Sequence, residues 1–166
     1  MTILIRRATE DEVPAIARLA GKVFHPTTDW ITRQVFPLHL QPKDIPDGEA
    51  SQPWRRLRKT ACFNTSNCAS MVAVDTTLNN QIVGYALWDL PIGTEEPPVT
   101  PADPELPPDV TDFKVYEELK SILKEDHKAT FGDRGLKDVW RLSPLPLYIP
   151  LSSLYTRICI CHRHLN

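Results

Sequence analysis

The sequence predicts an α/β domain: a mixed, mainly antiparallel sheet of about four strands flanked by helices. Three observations predict it. A short β-prone run at residues 3–5 leads directly into an apolar stripe at helical spacing. Two β-rich runs, S70-M-V-A-V-D75 and Q81-I-V-G-Y-A-L-W-D89, face each other across an Asn-containing turn. A further helical stripe beginning near Asp112 precedes V139-W-R-L142, which reads as a fourth strand.

Each element follows from local chemistry. After the first strand, T9-E-D-E12 is a capping box: Thr9 caps and Glu12 reaches back. Val13, Ile16, Ala17, Ala20, Val23 and Phe24, with Leu19 alongside, then form one wide apolar face at a period of about 3.6. Pro26 stops this helix. A second helical piece spans 28–36, with Trp30, Ile31, Val35 and Phe36 apolar, and Pro37 ends it. Residues 41–53 are loop-like. A third helix over 50–62 places Trp54, Leu57 and Ala61 on one side. In the hairpin that follows, T77-L-N-N80 is the turn, because Asn tolerates positive φ. The return strand is apolar on both faces, as a central strand covered on both sides would be. Gly84 within it marks a bulge or a close approach. Residues 91–111 are a proline-rich acidic insertion. Seven prolines fall in the eighteen residues from Pro91 to Pro108, so an exposed, polyproline-like or disordered segment is expected. The next helix carries Tyr116, Leu119, Ile122 and Leu123 as its stripe, and F131-G-D-R-G135 breaks it.

The chain of 166 residues makes one domain, or one domain with an appendage. It is 42% hydrophobic and 24% charged, which is globular composition. A net charge of −2 and a pI near 6.2 give no global electrostatic reason to bind nucleic acid or an anionic membrane. The one basic run, W54-R-R-L-R-K59, reads as a solvated helix face. M1-T-I-L-I-R-R7 is not a signal peptide, since its apolar run is short and Arg follows it. No segment approaches about 20 uninterrupted apolar residues, so none is expected to span a bilayer. The expected compartment is cytoplasmic, with a nuclear location also open. There Cys62, Cys68, Cys159 and Cys161 would be thiols.

Two stretches carry a family resemblance: I5-R-R-A-T-E-D-E-V-P-A-I-A-R-L-A20, and M71-V-A-V-D75 followed by I82-V-G-Y-A-L-W88. Together they resemble the N-terminal half of the GNAT acetyltransferase superfamily, especially fungal-type members with a proline-rich insertion after the third strand. The resemblance covers about residues 3–142. It implies transfer of an acetyl group from acetyl-CoA to an amine, on a small molecule or a peptide. A neutral amine attacks the thioester. The step needs a base for the amine proton, a donor for the carbonyl oxygen and an acid for the leaving thiolate. In the family, a Gln/Arg-x-x-Gly-x-Gly/Ala loop after the fourth strand opens a helix and holds the pyrophosphate.

V139-W-R-L142 stands where the family's fourth strand begins. In place of the loop this chain has L147-Y-I-P-L-S-S-L-Y-T-R157, without a glycine. Glycine permits the close approach and positive φ that a phosphate cradle needs, and Pro146 and Pro150 remove two amide donors. The expectation is a partial GNAT-like domain over 1–142, truncated before the acetyl-CoA pyrophosphate loop and catalytically incompetent. No catalytic or cofactor-binding residue is assigned. The resemblance offers four substrate-side candidates: Phe24 and Phe36, which flank helices lining the acceptor side in relatives, and Trp88 and Asp89 at the end of the third strand. The alternative is a non-catalytic module that pairs with another protein chain through an exposed sheet edge. A sheet that stops at its fourth strand leaves that edge and one face apolar, so poor solubility or dependence on a partner is expected.

Residues 143–166 read as an irregular tail. After Arg141 there is no Asp, Glu or Lys, and after Gly135 no Gly. Eleven of the thirteen residues 142–154 are Leu, Ser or Pro. These share pyrimidine-rich codons, which points to a retained intron or shifted frame after Trp140, with a divergent terminus as the other option. C159-I-C-H-R-H164 holds four side chains of zinc-ligand type, but one intervening residue per pair is too tight for a tetrahedral site. No metal is expected. Asp75 reads as a turn cap. His25 and His127 read as helix-end residues without a catalytic role, and Cys62 and Cys68 as loop or buried thiols.

Overall fold

The computed structural model describes residues 2–91 and 104–132, and the backbone of 141–142. Strands β1 (Ile3–Arg7), β2 (Cys68–Asp75) and β3 (Gln81–Asp89) pair in that order, each antiparallel to the next. A two-residue β4 (Arg141–Leu142) lies along the end of β3, with Leu142 opposite Trp88 and Arg141 opposite Asp89. The expected mixed sheet of about four strands is therefore three full antiparallel strands with a short fourth pairing. Among the described residues no pairing is parallel.

The first turn forms as its sequence dictates. Thr9 precedes a single 3-10 turn at Glu10–Glu12, and the Glu12 carboxylate accepts the Thr9 amide at 2.9 Å. The same carboxylate receives both terminal nitrogens of Arg6, at 2.8 and 2.6 Å. Helix α1 (Val13–Val23) is thereby pinned to β1 before its own first turn closes. The α1 stripe buries Val13, Ile16, Ala17, Leu19 and Ala20. Register places Val72 opposite Tyr85, so these two share a face of the sheet. Val72, Val74, Tyr85 and Leu87 meet Ile16, Leu19 and Ala20 in the main core. The β2–β3 hairpin turns through Asn79 and Asn80, both at positive φ (52° and 57°). The bulge that Gly84 signalled is present. Ala73 opposes Gly84 but Val74 opposes Ile82, which leaves Val83 as the extra residue.

Helix α2 (Trp30–Val35) is shorter than expected because Asp29 caps it, accepting the Thr32 amide at 2.7 Å. Helix α3 (Gln52–Phe63) follows a 3-10 turn at Glu49–Ser51 and crosses α1 closely at Gly21. A Cβ there would lie 1.6 Å from the Gln52 side-chain nitrogen Nε2. The expected inward face of α3 is corrected. Leu57 points to solvent, 59% exposed, and the buried residue of this helix is Arg55.

The proline-rich insertion is also corrected in part. Residues 92–103 lie outside the described residues, but 104–111 are not an exposed coil. Leu106 and Val110 are buried against Val35 and Phe36 in a second core, and the Trp54 indole donates to the Pro104 carbonyl at 3.0 Å. Helix α4 (Phe113–Phe131), capped by Asp112, leans on this second core through Val115, Tyr116 and Leu119. None of its residues is buried, and Ile122 of the expected stripe is exposed. Among the described residues no helix is long and apolar enough to cross a membrane. The tail 143–166, including the Cys159–Cys161 and His162–His164 pairs, lies outside the described residues.

Candidate functional site

Four candidates came from the sequence, and the structure divides them. Phe24 ends α1 and packs on the main core. Phe36 ends α2, is buried in the second core and stacks obliquely on Trp54 with centroids 5.6 Å apart. One residue links them. The Arg55 guanidinium donates to the Phe24 carbonyl at 3.0 Å and lies 5.9 Å from the Phe36 ring centroid. Its Nε donates to Ser51 Oγ at 3.2 Å, while that hydroxyl donates to the Gly48 carbonyl. Arg55 is thus a buried, hydrogen-bonded clamp on the ends of α1 and α2, not part of a solvated basic face. Burial lowers its pKa, and the Asp29 carboxylate works in the opposite sense.

Trp88 and Asp89 sit elsewhere, half-buried at the far end of β3, opposite Ala69 and Cys68 of β2. They are not brought together with Phe24 and Phe36 into one site. Asp75 caps the hairpin as expected, its Oδ1 accepting the Thr77 amide at 2.8 Å and hydroxyl at 2.6 Å. His25 uses one ring nitrogen on Thr27 Oγ1 and the other on the Asp47 carbonyl, and His127 makes an edge contact with Phe131.

The concentration of reactive side chains lies instead along α3, where it faces β2 and β3. Arg55, Lys59 and Cys62 follow at four- and three-residue steps on one helix face. The Lys59 ammonium stands 4.7 Å from the centroid of the buried Tyr85 ring. Burial pushes Lys59 down to about 8, with Arg58 adding to the effect. Burial raises the Tyr85 phenol. Beyond Lys59 the Cys62 and Cys68 thiols are neighbours that shift each other's titration in opposite directions. Cys62 is pushed down to about 6, first by the neighbouring Cys68 thiol and then by the charges of Lys59 and Arg58. The neighbouring Cys62 raises Cys68, as do burial and the Asp89 carboxylate.

Sequence reasoning missed this group because its members come from a helix and two strands. The usable signal was the R55-x-x-x-K59-x-x-C62 spacing. Among the described residues no group of three or more His, Cys, Asp or Glu is placed to hold a metal ion. A surface depression of about 670 Å³ lies away from this group, between α1 and α3, and is lined in part by Ala17, Arg18, Arg56 and Leu57. No protein-family model matches this chain, and comparisons with curated proteins and with solved structures give no match.

Proposed function

We propose that this chain carries the amine-side half of an acetyl-CoA-dependent N-acetyltransferase fold and that, as it stands, it is non-catalytic. The observation that supports this is the order and register of its elements. One strand leads through two helices and a third into a bulged antiparallel hairpin, and a further helix precedes a short strand beside Asp89. This is the arrangement that the resemblance of 3–142 implies, with α4 as the extra element after the third strand. Acetyl transfer would put the acceptor amine near the end of β3, where Trp88 and Asp89 stand. The cofactor is the weak half, because residues 143–166 contain no glycine with which to cradle a pyrophosphate.

Titration of the full chain with acetyl-CoA by calorimetry tests this. The expected result is no binding tighter than about 100 μM, roughly −5.5 kcal/mol. Stoichiometric binding below that value, with acetylation of an amine, would overturn the non-catalytic reading and make the polypeptide an enzyme.

A second reading, a module completed by another protein chain, is favoured by β1. It is one of the two outer strands of the described sheet, and Ile3, Leu4 and Ile5 are all exposed, Ile5 at 68%. Concentration-dependent self-association or co-purification of one partner in fixed ratio, abolished by Ile5→Lys, is its signature. A monomer at all concentrations with no partner would remove it.

A further inference from the structure

The structure points to a use for the two thiols that the acetyltransferase reading does not need. We propose that Cys62 and Cys68 are an oxidisable dithiol, in which a hydroperoxide oxidises Cys62 and Cys68 resolves the product as a disulfide joining α3 to β2.

Cys62 is in the last turn of α3 and Cys68 is the first residue of β2. The link between them is a pair of tight turns. The Thr65 amide donates to the Cys62 carbonyl at 3.3 Å, and the Cys68 amide donates to the Thr65 carbonyl at 3.1 Å. The Thr65 hydroxyl ties the turn back to Ala61 at 2.8 Å. Only these two tight turns separate the cysteines, and their thiols lie close enough to shift each other's titration. Both side chains are partly exposed, so a small oxidant reaches them without unfolding the core.

The charges then decide which sulfur reacts. The C-terminal end of a helix carries a partial negative charge and disfavours a thiolate there. The neighbouring Cys68 thiol, the Lys59 ammonium and the Arg58 guanidinium oppose that at Cys62. Lys59 is held in place over Tyr85. Asp89, opposite Cys68 in the register, disfavours negative charge on either sulfur. Cys62 follows Lys59 by three residues on the same helix, and the cations of Lys59 and Arg58 favour its thiolate, so in the proposed reaction Cys62 is the attacking sulfur and Cys68 the resolving thiol.

The chemistry balances. The Cys62 thiolate attacks the terminal oxygen of the hydroperoxide, the O–O bond breaks and the departing oxygen leaves with a proton as water or alcohol. Cys62 becomes a sulfenic acid. The Cys68 sulfur then attacks the Cys62 sulfur. Its proton leaves with the sulfenic hydroxyl as water, and the S–S bond forms. Two electrons pass from the pair to one peroxide. A small thiol reductant restores both thiols by exchange. The product ring closes only residues 62–68.

The test uses the full chain carrying Cys159→Ser and Cys161→Ser, so that only the proposed pair remains. Stoichiometric hydrogen peroxide at pH 7 is followed by intact mass and peptide mapping. The expected product lacks two hydrogens and yields a Cys62–Cys68 cross-linked peptide that a thiol reductant reverses. With Cys68→Ser added, Cys62 is trapped as a sulfenic acid by dimedone. With Cys62→Ser added, Cys68 stays unmodified. Iodoacetamide at pH 7 labels Cys62 roughly ten-fold faster than Cys68, and Lys59→Met slows that labelling several-fold. Far-ultraviolet dichroism confirms that each variant is folded. Accumulation of Cys62 sulfinic acid in the presence of Cys68, equal labelling of the two cysteines, or no reaction at stoichiometric peroxide would each overturn the proposal.

Discussion

Replacing Glu12 by Ala removes two things at once: the acceptor for the Thr9 amide and the anion that holds Arg6. The size of the loss can be worked in two ways. A lost helix cap costs about 1 kcal/mol. The bidentate ion pair adds roughly 0.5–1 kcal/mol, because the guanidinium of Arg6 is 38% exposed and the carboxylate 16%. The second route starts from the carboxyl itself. Arg6 and the Thr9 amide hold it down to about 2 against an ordinary 4.5. At about 1.4 kcal/mol per pH unit that interval would be worth roughly 3 kcal/mol, which solvent at the Arg6 end screens to about 2. Both routes give a loss of about 2 kcal/mol at pH 7. For a chain of this size that lowers the melting temperature by roughly 6 °C. Glu12→Gln keeps an amide oxygen for the cap and should lose only about half as much.

The pH dependence has a definite sign. A depressed carboxyl contributes its stability in full above the ordinary value near 4.5 and loses it as pH falls toward about 2. The gap between the native chain and Glu12→Ala should therefore be constant from pH 7 to about 5 and shrink below that. Thermal unfolding at a series of pH values, with Arg6→Met alone and combined, measures it. A gap that does not change with pH, or a coupling between Arg6 and Glu12 below about 0.3 kcal/mol, would refute the reasoning.

Two further predictions concern local defects. The Gln41 side chain is buried, and neither its oxygen nor its nitrogen has a hydrogen-bond partner. Gln41→Met removes that unmet demand at similar volume and should stabilise by about 1 kcal/mol, read as a higher urea midpoint with unchanged slope; a loss of stability would show that the amide is satisfied. Asn80 sits at φ 57°. Asn80→Gly should be neutral within about 0.5 kcal/mol, whereas Asn80→Val should cost about 1–2 kcal/mol in the same assay, because a β-branched side chain resists the left-handed region; equal stability of the two variants would remove the strain argument.

What was legible in the sequence was what is decided within a few residues. The T9-E-D-E12 box, the α1 stripe, the Asn-rich turn and the bulge at Gly84 all depend on neighbours one to four positions away, and all are where local chemistry puts them. Residues 104–111 were misjudged for the opposite reason. Proline and acid dominate their composition, yet Leu106 and Val110 find a core made by α2, some seventy residues earlier, and Pro104 finds the Trp54 indole. Of the four candidates, Phe24 and Phe36 were recognisable as aromatics at helix ends. That Arg55 would join them was not.

The orientation of α3 carries the same lesson further. By hydrophobicity, Leu57 belongs inside and Arg55 outside. The structure reverses them because the helix meets groups that reward a cation at depth: the free carbonyl at the end of α1, the Ser51 hydroxyl, the face of Phe36 and, one turn on, the face of Tyr85. A buried guanidinium left unpaired would cost several kcal/mol, so this rotation of α3 holds only with those partners in place. None of them is local to α3 except Ser51. Once Arg55 is inward, Lys59 and Cys62 follow it by helical geometry, and Cys62 is delivered to Cys68 at the start of β2. The thiol pair is thus a consequence of how one arginine is satisfied, which is why neither cysteine looked remarkable by its spacing alone. It also means that the two can be separated by experiment. Arg55→Leu should turn or loosen α3 and slow both the labelling of Cys62 and its cross-linking to Cys68. A conservative change on the exposed face, such as Leu57→Gln, should leave both untouched.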